Sequence, residues 1–400
     1  MRAALLLTLI AATTQAQFQI QTSNTTANLR GIHSLGNGIA WASGTNGTVL
    51  RTEDNGKTWQ PCTTPPDAAK LDFRGIQAFD NKTAIVMSSG PGDLSRLYKT
   101  TDGCATWKLV FTNPDKDGFF DALSFSGTDH MVFNHPGNPL LRTRVHHPDV
   151  ERHVLGGCGY LLGDPVDGSF RTFHSCDMGS TWLSSPDKYV AKVGEAAFAA
   201  SNQSLVTMPD NFDNMLLITG GSVARLLYHD GGCELDGLWC YSSTRTVHLP
   251  LAHGNEASGA FAMAILPDYR VEGKFPYTIV IVGGDYKHPE DADGVAATVY
   301  FAGFRSFPAR GGSGTARAAT TPPHGYRSSV TYDTPTKTWI TVGPNGTDIS
   351  TDDGRNWHAL KPSPTDQPDA DQHWNALSLP FVVGPHGRIG ILRPDALQPK

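Results

Sequence analysis

Short apolar segments recur along the whole chain and are separated by turns rich in Gly, Asn, Asp and Pro. Two examples are GTVLRT at 47–52 and WKLVF at 107–111, which lie on either side of predicted hairpin turns. The chain contains 42 Gly and 27 Pro among 400 residues, which favours many short strands and tight turns over long helices. The pattern predicts an all-β protein.

One turn sequence occurs four times with the pattern Ser/Thr-x-Asp-x-x-x-Thr/Asn-Trp, and we call it the turn box. The copies are TEDNGKTW at 52–59, TTDGCATW at 100–107, SCDMGSTW at 175–182 and STDDGRNW at 350–357. The Asp is expected to accept backbone N–H bonds of its own loop, and the Trp is expected to pack back on the sheet. These structural positions are Asp54, Trp59, Asp102, Trp107, Asp177, Trp182, Asp352 and Trp357. In the second copy Cys104 replaces the expected Gly, so that turn is either looser or held by a disulfide.

Two further repeats complete a unit of about 45 residues, the size of a four-stranded propeller blade. A blade-opening motif appears as LRGI at 29–32, FRGI at 73–76, FDAL at 120–123, YRSSV at 326–330 and WNAL at 374–377. A Gly-rich element follows it, as in ASGTNGTVL at 42–50. The units end near Trp59, Trp107, Trp182, Trp239, about Arg305 and Trp357, and another begins at Trp374.

This count predicts a seven-bladed β-propeller, with six blades as the alternative. The last unit is too short for four strands, so FQIQTS at 18–23 is expected to supply its outer strand and close the ring. A loop insertion lengthens the third blade at about residues 134–157. Residues 17–400 are predicted to form one propeller domain.

The first 16 residues contain one Arg, an apolar run and a small-x-small ending at Ala16, as in a secretory signal peptide. We therefore expect a secreted or periplasmic protein without a transmembrane segment, and a monomer. The formal net charge of -6, with no Lys/Arg run, argues against nucleic acid as a partner.

Six cysteines remain after the predicted signal peptide: Cys62, Cys104, Cys158, Cys176, Cys233 and Cys240. Their even number permits disulfides in an oxidising compartment. The repeat favours pairing Cys62 with Cys104 and Cys158 with Cys176, while Cys233 and Cys240 flank a short segment that a hairpin would close. No CxxC spacing indicates zinc.

The chain resembles the Asp-box (BNR) propellers, a superfamily that includes sialidases and photosystem II assembly factors. The resemblance rests on the four turn boxes, on residues 29–59 as a whole, and on LLGDPVDGSF at 161–170, VGGDYKHPED at 282–291 and GYRSSV at 325–330. These segments are most similar to the assembly-factor-like branch, which also occurs as exported bacterial proteins. The resemblance implies a seven-bladed propeller that binds a protein or ligand, with no established chemistry for most members.

The blade-opening motifs are the best candidates for the innermost strands, which line the central channel of a propeller. Their equivalent positions are predicted to be Arg30, Arg74, Asp121, Glu195, Arg327 and Asn375. Arginines brought to one axis can hold a carboxylate or another anion through bidentate hydrogen bonds. The alternative is that these charges neutralise one another and bind nothing specific.

The leading functional hypothesis is an exported, non-catalytic scaffold that binds a protein partner or an anionic small molecule. The alternative is a sialidase-like glycoside hydrolase, in which Arg30, Arg74 and Arg327 would converge on one carboxylate beside a Tyr–carboxylate pair such as Tyr326 and Glu195. FRGI at 73–76 is only a partial match to the sialidase FRIP motif, and the repeat itself explains it. We therefore predict no catalytic residue, no cofactor and no metal site.

Overall fold

A computed structural model describes residues 17–125, 158–186, 188–207, 215–233, 240–267, 277–301, 314–362, 367–394 and 396–397, with only the backbone at 230–233 and 240–243. The predicted signal peptide and the predicted insertion at 134–157 lie outside these ranges. Within them, no helix has the length and apolar character needed to cross a membrane.

Almost all regular structure in the described residues is β-strand. In chain order the first strands are β1 (Phe18–Gln21), β2 (Leu29–Gly36), β3 (Ile39–Gly44), β4 (Val49–Thr52), β5 (Gln60–Pro61), β6 (Phe73–Ala78), β7 (Ala84–Ser88), β8 (Arg96–Thr100), β9 (Lys108–Thr112), β10 (Phe120–Phe125), β11 (Gly159–Val166), β12 (Ser169–Ser175), β13 (Leu183–Ser184) and β14 (Tyr189–Val190). They are followed by β15 (Glu195–Ala196), β16 (Leu205–Thr207), β17 (Met215–Ile218), β18 (Gly220–Gly221), β19 (Arg225–Cys233), β20 (Cys240–His248), β21 (Ser258–Pro267), β22 (Tyr277–Asp285), β23 (Ala296–Phe301), β24 (Gly314–Ala318), β25 (Ser329–Asp333), β26 (Thr338–Gly343), β27 (Gly346–Ser350), β28 (His358–Ala359), β29 (Ala376–Ser378), β30 (Phe381–Val383) and β31 (Ile389–Leu392). A short 3₁₀ turn covers Gly92–Leu94.

These strands form seven antiparallel sheets, which are the blades of a propeller. From inner to outer strand, blades 1, 2 and 3 are β2–β5, β6–β9 and β10–β13, and blade 4 is β16, β17, β19 and β20. Blades 5 and 6 are β21–β24 and β25–β28, and blade 7 is β29, β30, β31 and β1. The innermost strands contact one another in sequence around the whole ring, including β29 against β2. The predicted seven-bladed, four-stranded architecture is confirmed.

The N-terminal strand closes the ring as predicted. β1 pairs with β31 in an antiparallel register that joins Phe18 to Leu392 and Gln21 to Ile389. The Phe18 side chain is buried and lies 5.6 Å from the ring of Trp374, centroid to centroid. Residues from the two ends of the described chain therefore share one sheet, which removes the open edge that blade 7 would otherwise expose.

The boundary between blades 4 and 5 differs from the expected one. β15 and β18 extend the inner side of the blade 5 sheet, and β16 rather than the segment at Glu195 begins blade 4. The outer strand of blade 5 is Gly314–Ala318, later in the chain than the expected end near Arg305, which itself lies outside the described residues, as does Trp239.

Most of the core lies between neighbouring blades. One cluster joins Leu29 and Leu50 of blade 1 to Phe381 and Ile389 of blade 7, and another joins Trp41 of blade 1 to blade 2. The apolar alternation of each strand thus buries both faces of every blade, and only the ends of the blades are free to vary.

Two disulfides stabilise the boxes of blades 2 and 3. They join Cys62 to Cys104 and Cys158 to Cys176, the two pairs that the repeat favours. The backbones of Cys233 and Cys240 lie opposite each other in the β19–β20 pair, but their side chains are outside the described part of the structure.

Candidate functional site

The turn boxes connect the third strand of a blade to the fourth, and each Asp is engaged within its own loop. Asp54 accepts hydrogen bonds from the backbone N–H of Thr58 at 2.9 Å and from the Thr58 hydroxyl at 2.7 Å. Equivalent bonds occur at Asp102, Asp177 and Asp352, where Asn356 takes the place of the Thr in the last box. The hydrogen bonds from Thr106 lower the pKa of Asp102 to about 2. These carboxylates stabilise turns and are already occupied.

The second box adopts the same turn despite its different sequence. Asn55 and Gly56 have φ angles of 61° and 74°, and the corresponding Gly103 and Cys104 have 73° and 66°. A non-glycine residue rarely adopts this left-handed conformation. The disulfide to Cys62 ties Cys104 to the neighbouring blade, so the turn is held by a disulfide and is not loosened.

The boxes lie at the end of the propeller where the inner strands finish. The backbone N–H of Asn55 in the first box donates to the carbonyl of Gly38, in the turn between β2 and β3, at 3.1 Å. The opposite end, where the inner strands begin, is the channel mouth. The boxes and the channel mouth are therefore on opposite faces of the molecule.

Near the channel mouth, four inner strands contain a β-bulge. At each bulge one residue has no partner in the regular strand pairing. In blade 1, Leu29 pairs with Gly44 and Gly31 pairs with Ser43, which leaves Arg30 between them. The same irregularity places Arg74, Asp121 and Phe261 in blades 2, 3 and 5. Bulges often re-aim a side chain next to a functional site. We call this residue the mouth position of its blade.

In the other three blades the strand register identifies the equivalent residue. The pairs Ser329–Val342 and Ala376–Val383 match Gly31–Ser43, because each second-strand member directly precedes a glycine. Counting back one residue, the mouth positions of blades 6 and 7 are Ser328 and Asn375. In blade 4 the Ile218 N–H donates to the Ser204 carbonyl, which makes Gln203 the mouth position.

Two of the six predicted ring residues are therefore not at the mouth position. Glu195 lies in β15, outside the inner strand of blade 4, and its carboxylate accepts a hydrogen bond from Arg225 Nε at 2.8 Å and another from the Thr219 hydroxyl at 2.6 Å. Glu195 and Arg225 are both buried. The blade-opening motif was assigned here because blade 4 has no recognisable box to set its start.

Arg327 is displaced from the predicted ring by one residue of register. It corresponds to Leu29 and not to Arg30, and a one-residue slip in a strand reverses the side on which a side chain lies. Its side chain is fully buried and donates hydrogen bonds from Nε and Nη2 to Asp348. Its Nη1 atom donates to the side-chain oxygen of Asn345 at 2.5 Å. Arg327 stabilises blade 6 and is not available at the channel mouth.

Arg30 and Arg74 do come together, and they share one carboxylate that the sequence analysis did not identify. Arg74 Nε donates to Asp72 Oδ2 at 2.8 Å, and Arg30 Nε lies 3.6 Å from the same oxygen. Both arginine side chains retain 28% of their exposed surface. Burial and the nearby charge of Arg74 lower the pKa of Arg30. Two guanidinium groups thus face a single carboxylate at the open end of the channel.

Asp121 at the next mouth position is buried, with 1% of its surface exposed. Its Oδ2 atom has no hydrogen-bond partner among the described residues. Burial, followed by the nearby Asp164 carboxylate, raises the pKa of Asp121 well above its ordinary range, although Arg74 opposes this shift. Burial also raises the pKa of Asp164 to about 6, while a hydrogen bond from the Ala197 N–H at 3.1 Å opposes it.

Aromatic side chains line the part of the mouth across from the arginines. Phe261 stacks on Phe198 with the ring centroids 3.9 Å apart and meets Tyr326 edge-on at 4.8 Å. Burial raises the pKa of Tyr326, and the positive charge of the nearby Arg30 opposes this rise. On the other side, the Arg74 guanidinium lies 5.8 Å from the centre of the Phe119 ring. The mouth is therefore charged over blades 1 to 3 and aromatic over blades 5 and 6.

Amide side chains at the mouth bridge the inner strands of different blades. Gln203 of blade 4 donates to the Val330 carbonyl of blade 6 at 3.0 Å and accepts from the Val330 N–H at 3.0 Å. Asn202 exchanges two hydrogen bonds with the backbone of Leu123, and Asn375 donates to the Leu29 carbonyl. Gln203 therefore links blades 4 and 6, and Asn202 and Asn375 each link the inner strands of neighbouring blades.

Four residues of the site were missed from sequence alone: Asp72, Asp164, Gln203 and Phe261. Asp72 lies two residues before Arg74, but it precedes β6 and a β-bulge follows Phe73, so strand alternation did not predict their contact. Asp164 lies in the quoted LLGDPVDGSF segment but had no partner to give it a role. Within the described residues, no group of three or more His, Cys, Asp and Glu side chains is arranged to hold a metal ion.

Comparison with known proteins identifies the fold but not a family. No protein-family model matches the chain, and no curated protein matches it. Among solved structures, YCF48 bound to D1 peptide is similar at 13% identity and a TM-score of 0.53, covering 95% of this chain and 97% of that one. YCF48 from Cyanidioschyzon merolae has 15% identity over 95% of this chain and all of its own, at a TM-score of 0.48.

The WD40 β-propeller domain of Doa1 is similar at 8% identity and a TM-score of 0.50, again over 95% of this chain and 97% of that domain. At such low identity these matches show the propeller fold alone. The functional argument therefore rests on the side chains of the channel mouth.

Proposed function

We propose that this protein is a β-propeller scaffold that binds a protein partner at the channel mouth, where Arg30 and Arg74 hold a carboxylate or another anionic group. The observation that carries the proposal is that two partly exposed guanidinium groups share the single carboxylate of Asp72. The pair keeps an excess positive charge, and planar guanidinium groups favour bidentate contacts with carboxylates.

The free donors of this pair support the same conclusion. The Nε atom of Arg30 is buried and has no hydrogen-bond partner among the described residues. Arg74 uses Nε for Asp72, and its terminal nitrogens make no hydrogen bond within the described part of the chain. A buried donor without an acceptor costs free energy unless a ligand or water satisfies it.

The similarity to YCF48, whose structure holds a D1 peptide, supports a protein ligand over a small metabolite as the first choice to test. The turn boxes support placing the chain with the Asp-box propellers, in the assembly-factor-like branch. The first 16 residues support export, with function in the periplasm or outside the cell. We propose that this scaffold acts without catalysis.

The sialidase alternative is not favoured by the geometry. That chemistry needs three converging arginines and a Tyr–carboxylate pair. Arg327 is buried against Asp348, and Glu195 is bound to Arg225. Tyr326 is buried, which raises the pKa of its phenol and disfavours the phenolate that a nucleophile needs.

Affinity capture with matched variants tests the proposal. The wild-type protein, the double variant Arg30→Gln/Arg74→Gln and the control Arg355→Gln are immobilised and exposed to an extract of the native host. Arg355 is an exposed arginine in the blade 6 box, on the opposite face. We expect at least one protein to be retained by the wild type and by the control, and lost from the double variant. Equal retention by the double variant would place the partner surface elsewhere and refute the proposal.

A further inference from the structure

The Asp121 carboxyl group is a buried and incompletely satisfied polar group at the channel mouth. It is almost completely buried, and its Oδ2 atom has no hydrogen-bond partner among the described residues. Buried carboxyl groups in folded proteins nearly always have a hydrogen-bond donor, because losing water without gaining a partner is costly. A cationic group of a ligand would supply the donor that Oδ2 lacks among the described residues.

Asp164 adds a second carboxyl group to the same place. It follows β11 residues Leu161 to Gly163 on the strand that pairs with β10, where Asp121 lies, and its charge contributes to the environment of Asp121. Its one hydrogen bond from a described residue is the 3.1 Å bond from the Ala197 N–H to Oδ1. Burial and the Asp164 charge both raise the pKa of Asp121, and burial raises the pKa of Asp164.

Nearby arginines do not remove this excess of acceptors. Arg74 affects Asp121 through its charge, but its Nε donates a hydrogen bond to Asp72. Arg30 is an ion-pair neighbour of the same Asp72 oxygen. The mouth therefore presents unused donors on blades 1 and 2 and unused acceptors on blade 3, side by side at equivalent bulge positions.

We infer that Asp121 and Asp164 form a subsite for an ammonium or guanidinium group, next to the carboxylate site of Arg30 and Arg74. This inference rests on the proposed function and specifies its ligand. The accepted ligand carries both a carboxylate and a positive charge.

A C-terminal lysine or arginine of a protein combines these features in one residue. Its terminal carboxylate suits the arginines, and its charged end supplies the donor that Asp121 Oδ2 lacks among the described residues. A free basic amino acid has the same chemistry. The two sources differ in whether the preceding peptide contributes to binding.

The test uses three tripeptides and isothermal titration calorimetry. Acetyl-Ala-Ala-Lys with a free carboxylate is compared with acetyl-Ala-Ala-norleucine, which lacks only the ammonium group, and with acetyl-Ala-Ala-Lys amide, which lacks only the carboxylate. We expect the free lysine peptide to bind at least about tenfold more tightly than either of the others, the ratio expected for one charge-assisted hydrogen bond.

Protein variants separate the two subsites. Asp121→Asn and Asp164→Asn should abolish the preference for lysine over norleucine and leave the affinity for the norleucine peptide unchanged. Arg74→Gln should weaken both free-carboxylate peptides. Asp117→Asn, an exposed aspartate before the same strand, serves as the control and should behave as the wild type. Thermal unfolding of each variant confirms that it is folded, and two independent Asp variants keep the test valid if one is not.

Equal binding of the lysine and norleucine peptides by the wild type would overturn the cation subsite. In that case a preference for the free carboxylate over the amide, lost in Arg74→Gln, would still support the anion site of the proposed function. No binding of any peptide at millimolar concentration would count against both. If acetyl-lysine binds more tightly than acetyl-norleucine by the same ratio, the subsite accepts a single amino acid. If only the tripeptides show the lysine preference, it accepts the end of a protein chain. Either result supports the inference.

Discussion

The substitution Gln203→Met should destabilise the propeller by removing the amide that bridges the channel. Met keeps the length and nearly the volume of the side chain, so the change isolates the hydrogen bonds. The Val330 N–H and carbonyl each lose a partner at 3.0 Å, and the Ser329 hydroxyl loses one at 2.7 Å. Val330 and Ser329 are fully buried, so water cannot replace these bonds. At about 1–3 kcal/mol for each unsatisfied backbone group, the free energy of unfolding should fall by about 2–6 kcal/mol.

Urea unfolding followed by circular dichroism measures this loss, with the disulfides kept oxidised. Gln60→Met is the matched control, because Gln60 is exposed on the outer strand of blade 1 and should change the free energy by less than about 0.5 kcal/mol. A loss below about 1 kcal/mol in Gln203→Met would mean that other groups or water satisfy Val330. The reasoning that the Gln203 amide holds blades 4 and 6 together would then be wrong.

Three further predictions concern ring closure, the buried arginine and pH. Phe18→Ala should lower the free energy of unfolding by about 3–5 kcal/mol, because a buried aromatic ring of the closing strand is lost. A change near zero in urea unfolding would show that β1 contributes little to stability. Arg327→Met should lower the free energy of unfolding by about 3–5 kcal/mol, because Asp348 would stay buried without its arginine. Capture of the partner protein by the folded variant should be unchanged. Loss of capture would mean that Arg327 belongs to the binding site. The pKa of Asp164 is raised to about 6 in the folded state, so between about pH 4 and pH 6 the folded protein keeps a proton that the unfolded chain has released. The free energy of unfolding should therefore fall as the pH rises from 4 to 7, by about 3 kcal/mol from this group. Urea unfolding at pH 4 and pH 7 should show this component in the wild type and not in Asp164→Asn, and identical pH dependence in both would contradict the assignment.

Local repetition explains how much of the fold the sequence predicted. Each blade needs its own turns, apolar alternation and opening motif, so the same constraints recur in the chain and can be counted. The short seventh unit could be completed only by the N-terminal segment at 18–23, and β1 confirms it. Cys62 and Cys104 were paired correctly because the repeat relates their blades, and the backbone of Cys104 keeps the turn of the other boxes.

Register limited the prediction of the site. The motif YRSSV looked equivalent to LRGI, but its Arg327 precedes the mouth position by one residue. Because side chains alternate between the two faces of a strand, this shift of one residue buries Arg327 and keeps it away from the channel. In blades 4 and 5 no box marked the boundaries. Glu195 was therefore placed on an inner strand that in fact begins after Gln203.

The sequence by itself favoured seven blades over six and indicated the structural role of the turn boxes, because these depend on contacts within a repeated unit. The closing strand followed from the incomplete seventh unit. Only the tertiary structure decided which charges meet at the channel mouth. Asp72 joins Arg30 of another blade, and Asp121 lies near the charge of Asp164 with no donor to its Oδ2 among the described residues. Such pairings depend on how the blades are arranged around the ring and on the bulges that re-aim single side chains, and neither leaves a local pattern in the chain.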